Sequence, residues 1–368
     1  MPMIVRTFLQ SGAYDIAVHS LKDMPTSLPP GLVLAAVSAR EDPRDAVVLA
    51  ARYGDGSALG PDPLAGLPPG SIVGTSSLRR EAFLRRAHPH LVVRTMRGNL
   101  NTRLRKLDAA PTAEGGLATA QSSSSQADET DGRYDVLVLA TAGLLRLGWG
   151  ARITRSLPLS VQPCAVGQGA LGVECRADDE LARTVARSIV HPRTLTVVSA
   201  ERAFLRALQG GCQVPIGVHS YYDDEGEAVW ERDGGAGAAA ATPTGDGRRG
   251  RPESSAADAV VASPPRTFAT LTMQGTVLAT LTMQGTVLAL DGSREVTAVL
   301  SRPVPVCDDD PAHGGLSDHR YAELAEAGAA LGIDLAARLL AAGAGEILGP
   351  LTAARASTYG AAEQPLDR

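Results

Sequence analysis

Three groups of residues in this chain have the types and spacing that chemistry needs. The first is Lys22-Asp23, two opposite charges at the exit of the apolar stretch in "AVHSLKDMPTSLPP". Such a pair is either a solvated turn or the working end of a site. The second is a set of arginines that follow strand-like segments. "GTSSLRR" places Arg79 and Arg80 in the first turn of a helix, after the donors Thr75, Ser76 and Ser77. "RTMRGNLNTR" adds Arg97 and Arg103, and "AGLLRLG" adds Arg146. A helix N-terminus favours anions, so arginines there oppose the helix dipole. A bound anion would offset that cost, and several converging arginines suit a ligand with several carboxylates or phosphates. Arg85, Arg86 and Arg105 read instead as an ordinary solvated helix face. The third is Cys212 in "QGGCQVPIG". Its two preceding glycines permit a tight, accessible loop, where a cysteine acts as a nucleophile if its pKa is lowered and is otherwise a small apolar filler.

The elements that must position these groups alternate along the first half. "YDIAVHS", "GLVLAAVSA", "GSIVG", "LVVRTM" and "YDVLVLA" read as strands. "SLRREAFLRRAHP", capped by Ser76 or Ser77, and "RGNLNTRLRKLDA" read as helices. Alternation of this kind predicts βαβ units on mainly parallel sheets, with ligands at the carboxyl ends of strands. Two polar, small-residue stretches, 109–132 and 233–259, read as disordered insertions. A perfect tandem decamer, "ATLTMQGTVL", fills 269–288. Its alternation suits a strand, and with two adjacent copies only one can take a given place in a sheet.

The bulk numbers narrow the class. The chain has 368 residues, enough for two or three domains, and it is 44% hydrophobic and 20% charged, as soluble globular proteins are. A net charge of -5 gives no reason to expect a nucleic-acid partner. No apolar run reaches the roughly 18 to 20 residues that span a bilayer. The four cysteines contain no C-x-x-C pair, which argues against a metal centre and for reduced thiols. "AVGQGALGVECR" lacks the preceding strand and acidic residue of a dinucleotide site. The first residues do not read as a secretory signal, so the expected compartment is the cytoplasm, although a transit peptide upstream is compatible with it.

Taken in order, "AVHSLKDMPT", "GTSSLRR", "RTMRGNLNTRL", "LATAGLLRLG", "AVGQGALGVECR" and "GGCQVPIG" closely resemble the porphobilinogen deaminase (hydroxymethylbilane synthase) family. The resemblance implies a transferase that polymerises four porphobilinogen molecules into hydroxymethylbilane with loss of ammonia, for haem and tetrapyrrole synthesis. It implies a catalytic Asp23 that stabilises a cationic azafulvene. Cys212 would hold a dipyrromethane cofactor through a thioether, with Lys22, Ser76, Arg79 and Arg80 also binding the cofactor. Substrate contacts fall to Ser20, Thr75, Ser77, Arg97, Arg103 and Arg146. The implied fold is α/β with three domains: 1–42 plus 166–190, 43–165, and 191–368. The first two would resemble the halves of type II periplasmic binding proteins, the third would be a smaller α+β unit, and Gln168 would sit at a hinge. The family begins with a strand and helix that this chain lacks, so the first domain is expected to be truncated, with an exposed sheet edge. The expected partner is porphobilinogen alone, with no nucleic acid, no membrane and no metal, in a monomer. The competing readings are an inactive remnant and a non-catalytic anion-binding protein of periplasmic-binding type.

Overall fold

A computed structural model describes residues 2–109, 134–208, 214–222, 277–306 and 316–359. Cys212, nearly all of the first low-complexity stretch, the whole of the second, and the first eight residues of the decamer repeat lie outside the described residues.

Three sheets organise the described residues. The first contains β1 (Ile16–Ser20), β2 (Leu32–Val37) and β8 (Leu171–Arg176), in the order β1-β8-β2. Both pairings are antiparallel, which corrects the expectation of a mainly parallel sheet. The reason is the path of the chain: β8 arrives from the far end of the second sheet and inserts between β1 and β2, running against both. Helix α1 (Pro2–Gln10) packs Leu9 against Ala17 and Leu32. Helix α5 (Glu180–Arg187) packs Ala182 and Ala186 against Val173 and Cys175. β1 is an edge strand, and its Ile16 and Val18 are exposed.

The second sheet, order β5-β4-β6-β3-β7, is mixed. β4 (Ile72–Gly74) runs parallel to β5 (Val92–Arg94) and β6 (Val136–Ala140). β3 (Asp45–Leu49) runs antiparallel to β6 and to β7 (Arg155–Ser156). Only the βαβ portion is therefore parallel. In β3, Ala46 and Val48 face one core and Val47 and Leu49 face the other. Burial on both faces explains the continuous apolar run in this strand. Helix α2 (Leu78–Ala87) is capped by Ser77 and α3 (Leu100–Asp108) by Asn99, each side chain accepting a first-turn N–H. The short α4 (Thr141–Arg146) follows β6 directly.

The third sheet is antiparallel, with β10 (Val277–Leu288) between β9 (Ile216–Tyr222) and β11 (Glu295–Val306). The second decamer copy, 279–288, lies wholly within the central strand. Helices α6 (Pro192–Ala207), α7 (Asp318–Ala341) and α8 (Ala344–Tyr359) accompany this sheet. α6 and α7 cross closely: a Cβ on Gly328 or Gly332 would collide with the Thr196 or Ala200 carbonyl. No single helix among the described residues is long and apolar enough to cross a membrane.

Two chain segments connect the first two sheets, 38–44 outward and 163–170 on return. Gln168 Nε2 ties them by donating to the Pro43 carbonyl at 2.6 Å. Gly169, at φ 93°, leaves no room for a Cβ against the Glu41 carbonyl. Arg40 and the fully buried Glu201 of α6 add a second tie. Arg40 donates to Glu201 Oε1 at 2.8 Å and to the Gln168 carbonyl at 2.8 Å, and the Gly167 N–H donates to Glu201 Oε2 at 2.8 Å.

A basic cleft where the three sheets meet

The strand exits of the first two sheets face one another across a cleft. Leu21 is buried and begins a single 3-10 turn, Leu21–Asp23, after β1. With Leu21 turned into the core, the next two side chains, Lys22 and Asp23, face the cleft. Its volume divides into two adjoining cavities of about 260 and 300 Å3. Both are lined by Lys22, Asp23, Arg80, Arg103 and Gln168. The first adds Ser76, Ser77 and Arg79, opposite an apolar wall of Val166, Leu205, Val214 and Ile216. The second adds Ser20, Asn99 and Arg146, with Leu100, Leu139 and Ala142. Among the described residues, Asp23 is the sole acidic one lining either cavity.

The structure thus gathers Ser20, Lys22, Asp23, Ser76, Ser77, Arg79, Arg80, Arg103 and Arg146 around one space. Two residues expected there are elsewhere. Thr75 is buried, lines neither cavity, and its hydroxyl accepts the Ser77 N–H at 3.2 Å in the turn before α2. Arg97 is exposed and lines neither cavity. Its neighbour Met96 fills the core, and alternation along this extended stretch turns Arg97 outward. As expected, Arg85, Arg86 and Arg105 stay on the surface, Arg85 pairing with Glu81 one turn away.

The first-turn arginines of α2 differ from the expectation in one respect. Both are buried, and a protein carboxylate, Asp45, already offsets part of their charge. Arg80 Nη2 lies 2.8 Å from Asp45 Oδ1, and Arg79 Nη2 lies 2.8 Å from Oδ2. Burial pushes the Asp45 carboxyl up, but the charges of Arg79 and Arg80, with bonds from Arg80 and Gln168, outweigh it and hold the group well below the usual carboxylate range. Asp45 escaped sequence reasoning. Its signal was an acidic residue opening the apolar run "DAVVLA".

Further cations crowd the rest of the cleft. Burial and the nearby Arg80 charge lower the Lys22 ammonium to about 8, against the opposing pull of Asp23 and Asp45. Burial and Arg80 also lower the Arg103 guanidinium, with Asp23 opposing. Arg103 donates to the Gly98 carbonyl at 2.8 Å, and Arg146 to the Gly169 carbonyl at 2.6 Å. The Nε atoms of Arg79 and Arg80 are buried without a hydrogen-bond partner. Crowded cations with unused donors are what a site for a polycarboxylate requires.

The apolar wall and the basic wall of the first cavity together suit a ligand with flat apolar rings that carry carboxylates. Val214, two residues beyond Cys212, lines that cavity, as does Leu205 near the end of α6. A pyrrole-based cofactor with acid side chains therefore fits the residues present.

Fold and cleft define a mixed α/β protein with a cation-lined cleft at its strand exits. The comparisons are more specific. Residues 4–184 match the family model for porphobilinogen deaminase, dipyromethane cofactor binding domain, and residues 195–230 match the model for the porphobilinogen deaminase C-terminal domain. Porphobilinogen deaminase of Nostoc sp. is 50% identical over 206 residues, which is 56% of this chain and 55% of that protein. Those of Synechococcus elongatus (48% over 214 residues; 58% of each chain) and Gloeobacter violaceus (50% over 213 residues; 58% of this chain, 56% of that one) are similar. The chain belongs to the porphobilinogen deaminase family. It spans a little over half the length of these curated relatives.

Proposed function

We propose that this chain is the transferase hydroxymethylbilane synthase, joining four porphobilinogen molecules head to tail with release of ammonia at each addition. The observation that carries this reading is Asp23, the one acid among the described residues of a cleft lined by Lys22, Arg79, Arg80, Arg103 and Arg146. The arginines and Lys22 hold the acetate and propionate groups of the pyrroles. Ser76 and Ser77 donate hydroxyls at the start of α2, and Ser20 contributes another from the opposite side. Asp23 is left for the reacting centre. Its carboxylate sits near the pyrrole N–H and stabilises the positive charge that develops on the substrate's aminomethyl carbon as ammonia leaves. The apolar wall excludes water, which strengthens each of these interactions.

Cys212 would hold dipyrromethane through a thioether, and that group would supply the primer for chain growth. Lys22, Ser76, Arg79 and Arg80 hold its carboxylates. Three domains divide these tasks: 1–42 with 166–190 carries Asp23, 43–165 carries the arginine helices, and 191–368 carries Cys212. The chain works as a monomer in the cytoplasm. The free thiols Cys164 and Cys175 accord with a reducing compartment.

Intact-mass measurement of the purified chain tests this reading. The expected result is a covalent addition of two pyrrole units, absent in Cys212→Ala, together with formation of hydroxymethylbilane from porphobilinogen. An unmodified mass with no turnover would overturn it.

A further inference from the structure

Asp45 lies behind the cleft, not in it. It opens β3, and its side chain is 0% exposed. Oδ1 accepts from Arg80 Nη2 at 2.8 Å and from Gln168 Nε2 at 2.9 Å, while Oδ2 lies 2.8 Å from Arg79 Nη2. The far ends of both guanidiniums are also held. Arg80 Nη1 donates to the Val138 carbonyl at 3.0 Å, and Arg79 Nη1 to the Pro163 carbonyl. Each arginine is thus fixed at two points, and the shared point is one carboxylate.

Two buried guanidiniums on consecutive residues repel one another. Without a counter-charge between them they would turn apart toward solvent. With Asp45 in place they stay together, and the three side chains keep a net charge of one positive unit facing the cleft. We propose that Asp45 is a positioning residue that locks Arg79 and Arg80 into a paired receptor for ligand carboxylates. This rests on the reading of the cleft as a polycarboxylate site. Gln168 extends the lock to the return segment 163–170, because the same amide nitrogen reaches Asp45 and the Pro43 carbonyl.

The proposal has a distinctive sign. As a bare negative charge near an anion site, Asp45 would weaken binding, and its neutralisation would tighten it. As a positioning group it strengthens binding, and its neutralisation weakens it. A purely structural role would reduce the folded, active fraction without moving KM.

The test compares the full chain with Asp45→Asn, which keeps the shape and removes the charge. Calorimetric binding of tricarballylate, an inert tricarboxylate, is measured beside steady-state kinetics on porphobilinogen. The dissociation constant and KM are both expected to rise about tenfold, with kcat changed less than about threefold. In a background with both Arg79→Met and Arg80→Met the same change is expected to add less than about twofold, because Asp45 acts through the two arginines. Unchanged or tighter binding by folded Asp45→Asn overturns the proposal and leaves the cleft reading standing. A wild-type chain that neither binds tricarballylate nor turns over overturns the cleft reading and the proposal together. If circular dichroism shows that Asp45→Asn does not fold, nuclear magnetic resonance on the wild-type chain decides. The Nε–H signals of Arg79 and Arg80, assigned with Arg→Lys variants, should shift on adding tricarballylate, and the absence of a shift in both overturns the proposal.

Discussion

Arg202 of α6 donates from Nη2 to the backbone carbonyl of Pro25 at 2.7 Å, so a helix of the third sheet holds the loop that follows Asp23. Arg206, one turn on, donates to the Thr26 carbonyl at 3.0 Å. α6 ends at Ala207, five residues before Cys212. One helix therefore holds the loop after Asp23, and its last residue comes shortly before Cys212 in sequence.

Arg202→Met should loosen that turn and leave carbonyls without a donor. kcat is expected to fall on the order of tenfold while KM stays within about threefold, because misplacing Asp23 affects the reacting centre and not the carboxylate grip. Stability should drop by about 1–3 kcal/mol, the effect of unsatisfied buried polar groups. Steady-state kinetics and urea unfolding measure the two effects.

Asp23→Asn removes the negative charge that Asp23 brings to the cleft and keeps its shape. Turnover should fall by roughly 100-fold to 10,000-fold, as for loss of a general acid–base or electrostatic group, while tricarballylate affinity holds or rises slightly. A variant with near-normal turnover would remove Asp23 from the mechanism.

Lys22 makes binding depend on pH. Its ammonium is lowered to about 8 by burial and Arg80. Below that value it is cationic and attracts carboxylates. Above it the charge is lost, so kcat/KM should decline as pH rises through about 8, and Lys22→Met should remove this limb. Stability runs the opposite way. The unfolded lysine titrates near 10.5 and the folded one near 8, so between these values the unfolded chain holds more protons. Stability therefore rises with pH across that window, and the penalty of burying the cation is fully present only below it. Kinetic profiles and thermal melts from pH 7 to 11 read the two trends separately.

Arg40→Met would leave Glu201 as a buried carboxylate without its cation. Loss of one partner from such a pair destabilises by about 3–5 kcal/mol. The expected outcome is a lower urea midpoint with tricarballylate affinity retained in the folded fraction, since Arg40 lines neither cavity.

Local order was legible in the residue sequence. Apolar runs marked β1, β2, β4, β5 and β6, and the Ser76-Ser77 pair marked the start of α2, because caps and periodicity act over a few residues. The cleft residues could also be singled out in advance, since arginines in a first helical turn are anomalous without an anion. Local signals did not fix strand direction in the first sheet. That depends on β8 returning from a distant part of the chain to lie between β1 and β2. Nor did they separate Arg97, turned outward by the burial of Met96, from Arg103 and Arg146, turned inward.

Residue order supplies an inventory: an acid, Asp23, at a strand exit, a set of cations at others, and a cysteine in a glycine loop. How those charges share space follows from the folded chain alone. Asp45 is 34 positions before Arg79 and 35 before Arg80, and Gln168 is further still. The carboxylate meets its partners because β3 lies beside β6 while α2 packs close to both. Coulomb energy depends on distance and burial, neither of which residue order contains, so the counter-charge that holds the arginine pair together became visible only when the chain was folded.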